Sequence, residues 1–290
     1  MKLNTALRLG RVSNLPTVWT NVLAGITLAG GAASSSLMTS VMIFMTLFYL
    51  GGMYLNDAFD AGIDAAERPE RPIPSGAVSA TTVFALGYIM LGLGIVGLIY
   101  VGVGIPKGVG LLPVYAGVAL AACIIFYNWN HKNNPLSPLV MGACRMLVYI
   151  AAGLVVVQNP PIGLYIGAAV LLCYLIGLTF AAKQENLNRI TNLWPLVFLG
   201  VPFIYVVSAL QIDQTTAILL AVFLAWVLFA LSYLVFPSRI NVPRAVVSLL
   251  AGICLLDAVL IAASGATQLA WIAFLGFPLT LALQRWVPGT

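Results

Sequence analysis

Residues 146–182 read MLVYIAAGLVVVQNPPIGLYIGAAVLLCYLIGLTFAA, and no acidic or basic side chain interrupts them. A helix needs about 20 mainly apolar residues to cross a bilayer, so this stretch alone is long enough for two membrane spans. Residues 12–56 also lack charged side chains and are long enough for two spans. Residues 72–106 lack them too and are long enough for one span. The apolar residues follow one another without the alternation of a membrane β-barrel strand, so helices are predicted.

The composition points to the same class of protein. Of the 290 residues, 61% are hydrophobic and only 7% are charged, whereas soluble domains carry about 25% charged residues. The spans leave no room for a separate soluble domain, so we predict one integral membrane domain over residues 1–290. The polar start is followed by a full-length span, so we expect no removable signal peptide. We assign the net charge of +5 to membrane orientation and expect no nucleic acid partner.

We predict an all-α, multi-pass bundle of nine or ten transmembrane helices with a central lipid-facing cavity. Basic residues fall in alternate loops, and the positive-inside rule then places the N-terminus and the even-numbered loops in the cytosol. The expected location is the cell membrane (inner or plasma membrane), in contact with the lipid bilayer. The predicted spans lie near Leu15–Gly31, Met38–Leu55, Thr81–Val103, Gly108–Tyr127, Pro138–Val157, Ile162–Phe180, Leu193–Leu210, Thr216–Phe236, Ala245–Ala263 and the short run Leu269–Leu283.

An acidic motif follows the second span: Asn56-Asp57-Ala58-Phe59-Asp60-Ala61-Gly62-Ile63-Asp64. If the helix continues there, Asn56, Asp60 and Asp64 are spaced i, i+4, i+8, and Asp57 lies one turn before Asp60. Carboxylates this close repel one another unless a cation compensates them. Magnesium prefers such oxygen ligands and completes its shell with water and phosphate oxygens. The spacing predicts a Mg²⁺ site for a diphosphate.

The next segment, residues 67–76, reads ERPERPIPSG and forms a proline-stiffened loop. Its guanidinium groups, Arg68 and Arg71, are planar donors suited to phosphate oxygens. We therefore expect this loop to contact the diphosphate.

NDAFDAGID followed by RPERPIPSG resembles the first signature of the UbiA superfamily of membrane prenyltransferases, and so does the opening Arg11-Val12-Ser13-Asn14-Leu15-Pro16. The resemblance implies a bundle of typically nine spans that transfers an isoprenoid chain from a polyprenyl diphosphate to a hydrophobic or aromatic acceptor, which the sequence does not identify. It also implies Mg²⁺ held by two acidic motifs. By this resemblance, Asn56, Asp57, Asp60 and Asp64 are first-motif ligands or their supports.

The second acidic motif of the family, a DxxxD-like element after span six, is altered in this chain. Residues 183–189 read KQENLNR, in which Glu185 is the one carboxylate beside neutral amides. We expect Glu185 to be a weaker metal ligand, and Lys183 and Arg189 to bind diphosphate directly. The altered motif keeps an alternative open: a non-catalytic or chemically altered isoprenoid-binding or lipid-binding relative of the same fold.

The mechanism expected from these residues is ionisation of the allylic C–O bond while Mg²⁺ and basic groups stabilise the departing diphosphate, with water excluded by the cavity. The predicted catalytic residues are Asp60, Asp64, Arg68 and Lys183. The predicted substrate-binding residues are Arg11, Asn14, Arg68, Arg71, Lys132, Arg145, Lys183 and Arg189. The aromatic candidates to stabilise a carbocation are Tyr54, Tyr127, Trp129 and Tyr149.

Two isolated ionisable residues have two interpretations each. Arg145 lies in the first turns of span five, where a charge is costly unless it is paired, faces a cavity or reaches the interface. Asp257 lies inside span nine and is either functional or part of a hydrogen-bonded packing contact. His131 is expected to be a solvated loop residue.

Overall fold

The computed structural model describes residues 1–31, 33–106, 108–132, 134–184, 192–209, 212–287 and 289. Eleven α-helices form within this described part of the chain, which contains no strand. They are α1 (Leu3–Leu9), α2 (Leu15–Leu28), α3 (Ser35–Glu67), α4 (Ala80–Ile99), α5 (Leu112–Asn130), α6 (Ser137–Leu154), α7 (Ile162–Ala182), α8 (Val201–Ala209), α9 (Gln214–Val235), α10 (Val242–Ala263) and α11 (Thr267–Leu283).

Local sequence signals set the beginnings of several helices. The side chains of Ser34, Ser79 and Asp213 accept a hydrogen bond from a backbone N–H in the first turn of α3, α4 and α9, respectively. These caps satisfy amide donors that have no partner within the helix. Proline stands in the first turn of α2, α5, α6 and α10, where its missing N–H costs nothing.

Each predicted span coincides with a helical segment, which confirms the all-helical membrane fold. Seven helices, α3 to α7, α9 and α10, are long and apolar enough to cross a bilayer. The other three segments are shorter: α2 has 14 residues, residues 194–208 combine a 3₁₀ turn with α8, and α11 has 17 residues. The number of nine or ten transmembrane helices therefore stays a prediction.

The main difference from the predicted layout is the length of α3. This helix has 33 residues and ends at Glu67, well beyond the predicted end of the second span at Leu55. At 1.5 Å per residue it is about 50 Å long, more than a bilayer core requires. The helix therefore continues past the predicted span, and the acidic motif lies on it.

Two groups of helices build the interior around the polar site. Helix α10 is the most deeply buried candidate span and packs against α2, α7, α9 and α11. Helices α3, α5 and α6 form a second apolar core, and α2 contacts both groups. A Cβ atom on Gly25 would lie 2.5 Å from the carbonyl oxygen of Tyr149, so the absence of a side chain there lets α2 lie directly against α6.

Candidate functional site

The acidic motif forms a buried stripe of polar side chains, the acidic stripe, on the C-terminal part of α3. Asn56, Asp57, Asp60 and Asp64 lie on one side of the helix, and their exposure is 8%, 7%, 5% and 2%, respectively. Removing a carboxylate from water is costly, so each of these aspartates requires a compensating partner. The partners come from three other parts of the chain.

Two arginines compensate Asp57 and Asp64. Arg11 Nη2 lies 3.1 Å from Asp57 Oδ1 and 3.3 Å from Asn56 Oδ1. Arg71 Nη1 lies 2.7 Å from Asp64 Oδ2 and 3.6 Å from Asp57 Oδ1. Burial alone would lower the pKa of Arg71, but Asp57 and Asp64 outweigh burial and raise this pKa above its usual value. Arg71 therefore stays charged and links the two aspartates.

The backbone of Arg11 contributes to its placement. Its φ of 40° lies in the left-handed region, which is uncommon for a residue with a Cβ atom, in the turn that connects α1 to α2. The hydroxyl of Tyr49 on α3 donates a hydrogen bond of 3.1 Å to the Arg11 carbonyl oxygen. The turn is thus attached to the helix that carries the acidic motif.

Asp60 is compensated by the segment that follows α5. His131 Nε2 and Lys132 Nζ lie 3.4 Å and 3.5 Å from Asp60 Oδ2. The His131 ring also stacks on Tyr127, with 4.9 Å between the ring centroids. The expectation that His131 is simply solvated was wrong, because the sequence did not show that the end of α5 reaches the acidic face of α3.

Asn128 is a site residue that the sequence analysis missed. Its Oδ1 accepts a hydrogen bond of 3.2 Å from Asn56, and its Nδ2 donates one of 3.0 Å to the Gly52 carbonyl oxygen. These bonds attach α5 to α3 beside the acidic motif. Asn128 precedes His131 by three residues near the end of a mainly apolar helix, and this spacing was an available signal.

A cavity of about 260 Å³ lies beside the acidic motif, between α2, α3, α5, α6, α7 and α10. Its wall is mostly apolar, with Phe48, Leu120 and Val148 among the lining residues. Arg11, Arg68, Arg71 and Arg145 also line it, together with Asn14 and Asn128. An apolar hollow with arginines on its wall can hold a lipid chain that carries an anionic group.

The aromatic candidates occupy different environments. Tyr127 lines the cavity, as does Tyr49, which the sequence analysis missed although it lies on α3 seven residues before Asn56. Tyr54 packs in a separate apolar cluster and bonds to the Ala6 carbonyl oxygen, and Trp129 is exposed. Tyr149 is fully buried and donates a hydrogen bond to Asp257.

Arg145 and Asp257 belong to one buried polar network. Arg145 Nη1 donates to Asn21 Oδ1 over 2.9 Å, and the Asn21 amide donates to Asp257 Oδ2 over 2.8 Å. Arg145 Nη2 donates to the Thr17 hydroxyl over 3.0 Å. The network joins α6, α2 and α10 inside the bundle, and the side chain of Arg145 is hydrogen-bonded to α2 and lines the cavity. Asp257 is part of a hydrogen-bonded packing contact.

The remaining predicted residues are held by neighbouring loops. Lys183 Nζ donates to the Asn134 carbonyl oxygen over 2.7 Å and to the Ser137 hydroxyl over 2.9 Å, and its partial burial lowers its pKa. It thereby joins the end of α7 to the loop before α6. The buried Asn14 amide donates to the Gly289 carbonyl oxygen. Glu185 and Arg189 lie outside the described residues, so the altered second motif stays a prediction.

The oxygen-bearing side chains of the site suit a metal ion, but in the described part of the chain their arrangement does not form a closed set of ligands. Carboxylate and amide oxygens are the ligands that Mg²⁺ prefers, and the acidic stripe supplies them. Within the described ranges, however, no three acidic, histidine or cysteine side chains are grouped closely enough to hold a metal ion. The physical reason is visible in the ion pairs, because Arg71 lies against Asp57 and Asp64 while Asp60 faces His131 and Lys132.

Comparison with solved structures supports the fold. The chain superimposes on a structure of digeranylgeranylglyceryl phosphate synthase with a TM-score of 0.59 and 18% identity, covering 90% of this chain and 98% of the other. A UbiA homologue from Aeropyrum pernix matches with a TM-score of 0.51 and 14% identity, covering 95% of this chain and 98% of that one. At these identities the similarity is one of fold alone.

Sequence comparison identifies relatives and a family. Digeranylgeranylglyceryl phosphate synthase from Methanopyrus kandleri is 31% identical over 141 residues, 48% of this chain and 46% of the relative. The enzyme of the same name from Metallosphaera sedula is 33% identical over 160 residues, 52% of this chain and 51% of the relative. The matches thus span about half the length of these curated relatives. The sequence model of the UbiA prenyltransferase family matches residues 18–187, and the chain belongs to this family.

Proposed function

We propose that this protein is a Mg²⁺-dependent membrane prenyltransferase that takes an isoprenoid chain from a polyprenyl diphosphate. The observation that carries the proposal is the buried acidic stripe of α3 beside an apolar cavity whose wall bears arginines. Acidic oxygens suit the metal, arginines suit phosphate, and the apolar wall suits the prenyl chain. Family membership supports the same reaction class.

Asn56, Asp57, Asp60 and Asp64 would hold the metal. Bound Mg²⁺ would supply positive charge that neutralises the diphosphate leaving group. Four basic residues compensate the carboxylates: Arg11, Arg71, His131 and Lys132. If the carboxylates held the metal instead, these basic groups would be available for diphosphate oxygens. The charges of the metal and of the diphosphate are opposite in sign, so each would offset part of the charge that the other brings into the site.

The chain's own groups have defined tasks in this reaction. Arg11, Arg68 and Arg71, which line the cavity, bind phosphate oxygens and stabilise the negative charge that develops as the allylic C–O bond breaks. The apolar wall excludes water, which would otherwise capture the carbocation. The rings of Tyr49 and Tyr127 line the same space and can stabilise the cation through their faces.

For the acceptor, we propose a glyceryl phosphate lipid. The support is the name of the relatives from M. kandleri and M. sedula, digeranylgeranylglyceryl phosphate synthase, which describes a product with two geranylgeranyl chains on glyceryl phosphate. Geranylgeranyl diphosphate with geranylgeranylglyceryl phosphate is therefore the first substrate pair to test. We further propose that the acidic end of α3 faces the cytosol, on the basis of the basic residues in alternate loops.

The test uses the purified full chain in lipid nanodiscs with labelled geranylgeranyl diphosphate, geranylgeranylglyceryl phosphate and Mg²⁺. We expect release of diphosphate together with a doubly prenylated lipid, and loss of both products when EDTA removes the metal. In a parallel reaction a membrane extract replaces the defined acceptor, and the prenylated molecule is identified by mass spectrometry. Binding of the diphosphate without transfer to any acceptor would establish the alternative of a non-catalytic lipid-binding relative.

Asp60→Asn keeps the size of the side chain and removes its charge. We expect transfer to fall by at least about 100-fold, because a metal ligand and the partner of His131 and Lys132 are lost together. The matched control is Glu70→Gln, which removes an exposed carboxylate from the loop after α3. Equal activity of the two variants would contradict the assignment of the metal site to α3.

A further inference from the structure

Arg145 occupies an unusual position for an arginine in a membrane protein. It lies eight residues after the first residue of α6, about 12 Å along the helix. Its hydrogen-bond partners, Thr17 and Asn21, lie two and six residues after the first residue of α2, or about 3 Å and 9 Å along it. Arg11 precedes that helix. Arg145 is therefore one to two helical turns deeper in the cavity than Arg11.

The direct contacts of Arg145 distinguish it from other basic residues of the site. Arg11, Arg71 and Lys132 each lie within 4 Å of a carboxylate oxygen. The contacts described for Arg145 are neutral: the Asn21 amide oxygen, the Thr17 hydroxyl and the face of Tyr49, whose ring centroid is 5.5 Å away. A guanidinium has five N–H donors, and these two hydrogen bonds leave donors for a ligand in the cavity that Arg145 lines.

The counter-charge for Arg145 is Asp257, which does not line the cavity. Asp257 on α10 is fully buried and accepts hydrogen bonds from Asn21 and Tyr149. Asn21 is thus placed between the cation and the anion and bonds to both. This arrangement makes the partial burial of Arg145 tolerable, and among the residues that the structure describes no carboxylate forms an ion pair with its guanidinium.

We propose that Arg145, held from behind by Asn21 and Asp257, binds the phosphate group of the acceptor lipid. This inference rests on the proposed function and names the acceptor-binding group of the same cavity. The diphosphate of the prenyl donor would bind the arginines beside the acidic stripe, which lie one to two helical turns from Arg145. Arg145 offers its remaining N–H donors to a second oxyanion, and the apolar residues Val148 and Leu175, which line the same cavity, accommodate lipid chains.

The test measures binding, so it does not require transfer. Dissociation constants are determined in nanodiscs, without donor, for geranylgeranylglyceryl phosphate and for geranylgeranylglycerol, the same lipid without its phosphate. We expect the wild-type chain to bind the phosphate lipid about 10- to 100-fold more tightly, because hydrogen bonds between charged groups are worth that much. Arg145→Gln should abolish this preference, and Arg239→Gln, which removes an exposed arginine, should preserve it.

A second binding measurement, with the prenyl diphosphate, distinguishes the phosphate of the acceptor lipid from the diphosphate of the prenyl donor. Binding of geranylgeranyl diphosphate with Mg²⁺ should change by less than about threefold in Arg145→Gln, a difference below 1 kcal/mol. Equal weakening of donor and acceptor binding would overturn the assignment to the acceptor, and so would an unchanged phosphate preference. If the Gln variant does not fold, Arg145→Lys keeps the charge but loses the fork, and it should weaken phosphate-lipid binding about tenfold. Unchanged binding by the Lys variant would also overturn the inference.

The two proposals fail in different ways. A chain that binds the phosphate lipid through Arg145 but transfers no prenyl group would contradict the proposed function and leave this inference standing. A chain that transfers the prenyl group with the same acceptor KM in wild type and Arg145→Gln would have the proposed function and refute the role of Arg145.

Discussion

Arg71 joins two buried carboxylates, and in doing so it occupies the place that a metal cation would take between them. Arg71→Gln leaves Asp57 and Asp64 without this partner, so we expect the free energy of unfolding to fall by about 1–3 kcal/mol in the absence of metal. Added Mg²⁺ should stabilise the variant more than the wild-type chain, because the guanidinium no longer competes for the oxygens. Thermal unfolding in nanodiscs with and without Mg²⁺ measures both effects. Equal Mg²⁺ shifts in the two proteins would contradict metal binding at these carboxylates.

Arg145 and Asp257 are connected through Asn21, and a double-mutant cycle measures the interaction free energy between them. Each single variant, Arg145→Gln or Asp257→Asn, leaves the other group without its counter-charge and should destabilise the chain by about 1–3 kcal/mol. The double variant removes both charges and should cost less than the sum of the single effects by about 1–3 kcal/mol. Denaturation of the four proteins completes the cycle. As a control, Asp257→Asn combined with Arg239→Gln should be additive, and additivity in both cycles would exclude the coupling.

Helix α3 shows which of its features could be predicted from the sequence and which could not. The spacing of Asn56, Asp60 and Asp64 predicted a shared side, and these residues do lie on one side of a helix. The end of the helix was harder to place, because the apolar pattern marks only the end of the membrane span, near Leu55. No proline follows until Pro69, so the helix continues to Glu67 and stops where the residue before a proline disfavours helical geometry.

The contact between α2 and α6 positions Asn21 against Arg145, and Gly25 makes this contact possible. Gly25→Ala would place a Cβ atom 2.5 Å from the Tyr149 carbonyl oxygen, so the helices must separate and the free energy of unfolding should fall by about 1–3 kcal/mol. Gly92→Ala on α4 is the control, because a Cβ atom there meets nothing within 4 Å. That variant should be neutral or slightly stabilising, since alanine favours helix over glycine. Unfolding midpoints in detergent decide, and destabilisation of both variants alike would remove the steric explanation.

For the whole molecule, charge-free stretches and their punctuation were sufficient to predict a helical membrane bundle. They were not sufficient for the partners within the site. Arg11 and Asp57 are 46 positions apart, and Asn21 and Asp257 are 236 apart. Such pairings depend on how helices pack, and a single sequence contains no periodic signal for contacts between distant segments. The residues of the acidic motif were therefore predicted from local spacing, whereas the contacts of Tyr49, Asn128 and His131 were established from the packing.

The orientation of the molecule is the remaining whole-chain prediction, and it follows from the alternation of basic loops. Ser36 lies in the first turn of α3 and Glu70 in the loop after its last residue, so Glu70→Cys and Ser36→Cys report on opposite ends of this helix and on opposite faces of the membrane. Both positions are exposed. In intact cells of a bacterial host, a maleimide reagent that does not cross membranes should label Ser36→Cys, and it should label Glu70→Cys only after permeabilisation.

The unmodified chain, with its four native cysteines, supplies the background labelling. The reverse pattern would place the acidic stripe outside the cell. Soluble Mg²⁺ and diphosphate would then have to reach the site from the external side, which the charge distribution argues against, because the basic residues that flank the site are those that the positive-inside rule retains in the cytosol.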